Sequence, residues 1–170
     1  MSEFKPEVKN LAWIDGSSDN PKDPCLHGDI RVKLGKTVLE YDATVSATAL
    51  SLLKSLEYDH IAGEGLQFLP CCGNTFIPNE DLSEVEIIGC DNGIDWTLLH
   101  EGEKVRIILE NKEEISLPFE EYKAEVLKFV DRIEAFYLSS SPKVLHDEFE
   151  EEGYRAFWNE WKRRRKEADL

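Results

Sequence analysis

Hydrophobic and polar positions along the chain alternate with period two in its first part and recur at helical spacing in its last third. In "GDIRVKLG", Gly28 to Gly35, the apolar Ile30, Val32 and Leu34 are interleaved with Arg31 and Lys33, the pattern of a half-buried strand. The following "KTVLEYDATV" reads as a second strand, joined to the first across a tight corner at Gly35-Lys36 to make a hairpin. Upstream, "NLAWI", Asn10 to Ile14, is a short strand or apolar anchor, closed by the turn-forming run "DGSSDNPKDP".

From Ser46 the period changes. Ala47, Leu50, Leu53 and Leu56, widened by Leu52, form one face of a helix of about three turns, which Thr44 or Ser46 would cap and "YDHIAGEG" would end. Next comes "LPCCGNTF", Leu69 to Phe76, where Pro70, Gly73 and Asn74 favour a structured turn anchored by Phe68, Leu69 and Phe76. A meander is expected after it, with strands near Val85–Cys90, Trp96–His100, Lys104–Leu109 and Glu113–Leu117.

Pro118 suits the start of a long helix in which Phe119, Tyr122, Val126, Phe129, Val130 and Ile133 form an apolar stripe. "SSSPK" interrupts it, and a second helix runs through "DEFEEEGYRAFWNEWKRRRKEA", with Tyr154, Phe157, Trp158 and Trp161 near helical spacing and Gly153 weakening its start. The pattern predicts an α+β fold: an antiparallel or mixed sheet, one inserted helix, and two C-terminal helices packed on it. Residues 1–170 read as a single domain, with 144–168 a C-terminal helical element that is a candidate for a peripheral position.

Charge narrows the classes of function. With 35 acidic and 20 basic residues the formal charge is -15, which opposes binding to nucleic acid or an anionic membrane and favours a basic protein partner. From Lys143 onward there are eight acidic and seven basic residues, so the net acidity resides in the preceding part of the chain. The one basic run, Lys162 to Lys166, is expected to pair internally with the acidic body or to form an exposed charged helix tail. The beginning, "MSEFKPEVKN", is not signal-like, no stretch is apolar enough to span a bilayer, and cysteines are few. A reducing cytoplasm with free thiols is therefore expected.

The chemistry-bearing residues give two alternatives. Cys25, His27, Cys71, Cys72 and Cys90 have the donor types of a zinc site but lack its spacing, since no C-x-x-C occurs. His60 or His100, beside Cys71, Cys72 or Cys90 and with Asp91 or Asp95, would make a thiol-dependent or zinc enzyme, but no complete nucleophile, base and oxyanion motif is visible. The expected use of the cysteines is as buried hydrophobes. The favoured reading is non-enzymatic protein binding without a cofactor. Bacterial immunity-like proteins that neutralise a cationic toxin supply the analogy, by charge logic alone. Asp91, Asp95, Trp96, Glu101 and Glu103 are the candidate partner surface, with Tyr58 as a further apolar contact.

Overall fold

The computed structural model describes residues 2–71 and 74–170. Its α+β architecture has three antiparallel sheets where one was expected. The first contains β1 (Phe4–Ala12), β2 (His27–Leu34) and β3 (Thr37–Thr44) in that order. Ile30, Val32 and Leu34 point inward as their alternation requires, and the β2–β3 hairpin turns between Leu34 and Thr37. Strand β1 begins six residues before the predicted "NLAWI". Phe4, Pro6 and Val8 alternate inward, and Pro6, which has no N–H to donate, is accommodated because β1 lies at the sheet edge.

Helix α1 (Val45–Lys54) follows β3 directly and is buried along almost its whole length. Neither expected capping hydroxyl caps it. Thr44 Oγ1 instead donates to the Cys71 carbonyl and accepts from Asn74 Nδ2, and Ser46 Oγ accepts from the Leu26 N–H. These bonds tie the helix start to Leu26, just before β2, and to Cys71 and Asn74.

The predicted four-strand meander divides. β4 (Thr75–Pro78) and β5 (Val85–Ile88) form their own two-stranded sheet, while β6 (Thr97–Glu101), β7 (Lys104–Ile108) and β8 (Glu114–Pro118) make a three-stranded meander. Strand β5 therefore pairs backward, with a strand hidden in the sequence behind Gly73 and Asn74.

Helices α2 (Phe119–Ser139) and α3 (Glu148–Glu167) complete the chain, and the α2 stripe at Tyr122, Val126, Phe129, Val130 and Ile133 is buried as predicted. The C-terminal element is integral, in contrast to the peripheral position considered for it. Ala156, Phe157 and Trp161 belong to the same buried cluster as side chains from every other element, and Phe157 stacks on Phe76 of β4 with ring centroids 4.7 Å apart. The connection between the two helices is held as well. Lys143 Nζ lies 3.2 Å above the Trp13 ring and donates to the Asn20 carbonyl, and burial lowers its pKa.

Candidate functional site

Beside the C-terminal half of α1, the segment 57–67 and the end of β5 enclose a cleft of about 410 Å³, adjoined by a smaller one of about 230 Å³ that shares Ser51, Lys54 and Leu66. Three local features shape it. Gly63 and Gly65 have φ of +88° and +80°, left-handed values that let the "AGEG" segment bend sharply and present Glu64 outward. A paired bridge between Leu69 and Ile94, with N–H to carbonyl distances of 3.0 and 2.9 Å, joins the two segments just beyond the lining residues Gln67 and Asp91. Gly93 permits this approach, since a Cβ there would lie 2.5 Å from the Leu69 carbonyl oxygen.

Four exposed carboxylates line the joined clefts: Glu86 and Asp91 in the larger, Asp59 and Glu64 in the smaller. Lys54 is the single lysine there; its side chain is 40% exposed, and its charge is offset from the inner side. Its Nζ lies 3.4 Å from the fully buried Glu160 carboxylate and 3.5 Å from the Val85 carbonyl. The groove thus presents negative charge, with Tyr58 exposed at its smaller end and Ile88 exposed along its larger part. Asp59 stays ionised further into acid than a free aspartate, because it accepts from the His100 backbone N–H and from the His100 ring.

The proposed partner surface is partly corrected. Asp91 lies on the groove, and Glu101 and Glu103 are exposed around the β6–β7 turn, where Glu101 pairs with Arg106 at 2.8 Å. Trp96 is only 1% exposed and stacks on Phe68 at 4.6 Å, so it belongs to the core. Asp95, with a side chain 10% exposed, is occupied structurally: it accepts from the Phe68 N–H at 3.0 Å and bonds His60 Nε2 at 2.7 Å. Neither can offer a partner much surface.

The thiol and metal alternative is also rearranged. Cys71 and Cys90 form a disulfide, with Cα atoms 6.5 Å apart, in place of the expected free thiols. Cys25 is buried and donates to the Asn74 carbonyl, and His27 begins β2 with its Nε2 buried and unpartnered among the described residues. Cys72 lies outside the described residues. Among the described residues, no three His, Cys, Asp or Glu side chains converge as metal ligands. The two candidate bases are each turned to a carboxylate, His60 to Asp95 and His100 to Asp59, and Cys71 and Cys90, being joined, offer neither histidine a free thiol.

Burial pushes the Cys25 thiol up to about 12, with the charges of Asp23 and Glu150 adding to the effect. Iodoacetamide at pH 8 should therefore leave Cys25 unmodified in native protein and alkylate it after unfolding; rapid native labelling, read by peptide mass, would contradict this burial. Because the folded-state value is raised, the associated stabilisation is complete below the unfolded thiol pKa and disappears as pH rises toward 12.

The three arginines of the basic run pair with the acidic body, while Lys162 and Lys166 at its ends are exposed. Arg163 reaches Glu84 at 3.0 Å, Arg164 bonds Glu160 and Glu57, and Arg165 grips Asp131 through two bonds of 2.7 and 3.0 Å. Among the described residues, no helix is long and apolar enough to cross a membrane. The groove residues Asp59, Glu64 and Glu86 escaped the sequence reading because their convergence depends on contacts between distant segments. The one local signal was Glu64 between two glycines. No family model, curated protein or solved structure matches the chain.

Proposed function

We propose that the chain is a non-enzymatic protein-binding domain that receives a basic segment of a partner in the acidic groove. The carrying observation is the disposition of charge: Asp59, Glu64, Glu86 and Asp91 face the opening, while Lys54, the one lysine among them, is drawn inward by Glu160. A lysine- or arginine-rich strand or loop would meet carboxylates along its length and Tyr58 at one end. Neutralisation by occlusion follows from this chemistry if the partner uses the same cations to hold phosphate, which is the immunity-like version of the reading. Excess acid over the whole chain would speed encounter with such a partner and repel nucleic acid.

A fluorescent nine-residue peptide of alternating arginine and glycine provides the test. Glu86→Lys combined with Asp91→Lys should weaken its binding about tenfold or more at moderate salt. Glu110→Lys combined with Glu120→Lys changes net charge equally but away from the groove, and should cost about threefold or less. Equal losses would show bulk attraction with no role for the groove, and no binding by the unaltered protein would remove the proposal.

A further inference from the structure

We propose that the Cys71–Cys90 disulfide is a reversible latch on one wall of this groove, opened by a dithiol reductant, so that binding of the basic segment responds to redox state. This rests on the groove being the binding site. The two halves of the latch are anchored differently. On one side the Cys71 carbonyl accepts from Asn74 Nδ2 at 2.7 Å and Thr44 Oγ1 at 3.2 Å, and the Thr44 N–H donates to the Pro70 carbonyl at 3.0 Å. Cys71 is thereby fixed to the start of α1. On the other side, Gly89, Cys90 and Asp91 follow the last paired residue of β5, and among the described residues no backbone hydrogen bond holds them.

These three residues line the larger cleft, and Asp91 supplies one of its carboxylates. The next restraints along the chain are the Tyr41 hydroxyl donating to the Asn92 carbonyl and the Leu69–Ile94 bridge. The disulfide is therefore the covalent tie that keeps the Asp91 wall against the rest of the groove. Cys90 is exposed, so a reductant can reach it.

In the proposed step, one thiolate of the reductant attacks a sulfur of the Cys71–Cys90 bond, giving a mixed disulfide and releasing the other cysteine. The reductant's second thiolate then displaces the protein sulfur and closes the reductant's own disulfide. The reductant loses two electrons, the protein gains them, and the reductant's two protons end on Cys71 and Cys90 as thiols. In a cytoplasmic setting, where disulfides are seldom permanent staples, such a bond is suited to signalling.

The experiment uses the full chain, oxidised and after reduction with dithiothreitol, with the arginine–glycine peptide as probe and amide hydrogen exchange over residues 86–91 as an independent readout. Reduction should weaken peptide binding tenfold or more and speed exchange in that segment, and reoxidation should restore both. Cys90→Ser should match the reduced protein without reductant. Binding that is equal in the two forms overturns the latch and leaves the groove reading standing. If the peptide binds neither form, the groove reading fails and redox control of binding falls with it; faster exchange then upholds only the restraint of the wall, and unchanged exchange overturns that too. Loss of the far-UV circular dichroism signal on reduction would overturn a local latch in favour of a global staple.

Discussion

Glu160→Ala should lower the stability of the protein by about 3–5 kcal/mol, the cost of removing one member of a buried, hydrogen-bonded charge cluster. Glu160 is fully buried. One carboxylate oxygen accepts from the Val85 N–H at 2.9 Å; the other accepts from Arg164 Nε at 3.1 Å and faces Lys54 Nζ at 3.4 Å. Alanine leaves the Val85 donor unsatisfied and removes the central anion from Arg164, whose side chain is 5% exposed and retains Glu57. Burial works against the charged guanidinium, but its bonds to Glu160 and Glu57 outweigh this and raise its pKa. Glu160→Gln preserves an acceptor for Val85 and should cost less, about 1–3 kcal/mol. Urea unfolding of the two variants tests the order. A loss below about 1 kcal/mol for the alanine variant would show that the cluster contributes little beyond its packing.

The same cluster connects stability to the groove. Glu160 draws Lys54 inward, so Glu160→Ala returns a positive charge to a site proposed to bind cations. Binding should fall even when measured on folded protein. A double replacement, Glu160→Leu with Arg164→Met, should recover part of the stability because no unpaired charge remains buried, but it also frees Lys54. Stability and binding would then separate, which distinguishes the electrostatic role of Glu160 from its structural one.

The sequence made the periodic elements visible and hid the long-range ones. The β2–β3 hairpin, α1, the β6–β8 meander and the two C-terminal helices follow from local periodicity. Strand β1 was obscured because Pro6 interrupts its pattern, although at a sheet edge a proline removes no ladder bond. Strand β4 was obscured because the preceding Gly73 and Asn74 dominate the reading of "LPCCGNTF". Trp96 alternates with Ile94 and Leu98, a period-two signal that agrees with its buried position and outweighs its place among acidic turn residues. For Asp95 no local signal existed, since its partners His60, Gly63 and Phe68 lie 27 to 35 residues away. Nor could spacing pair Cys71 with Cys90, because that contact depends on β4 and β5 folding back on each other.

Gly153→Val should destabilise the protein by about 3 kcal/mol, at the upper end of the range for overpacking, and its effect has the opposite sign to that expected from helix propensity alone. In the sequence Gly153 looks like a weakness at the start of α3, and at an exposed helical site a side chain there would stabilise. The structure gives a different reason for the glycine. The helix runs through it without interruption and is closely packed on β4: a Cβ would lie 2.4 Å from the Phe76 carbonyl oxygen, 3.1 Å from its Cβ and 3.2 Å from its carbonyl carbon. Two of these three neighbours are backbone atoms of a paired strand residue, so no side-chain rotation relieves the clash. The helix must move away, which also disturbs the stacking of Phe157 on Phe76. Gly153→Ala should already be destabilising, whereas Arg155→Ala, at an exposed position on the same helix, should stay within about 0.5 kcal/mol of the unaltered protein. Denaturant midpoints for the three variants decide the matter: an alanine at position 153 that raised stability would mean that α3 and β4 have room between them, contrary to the geometry.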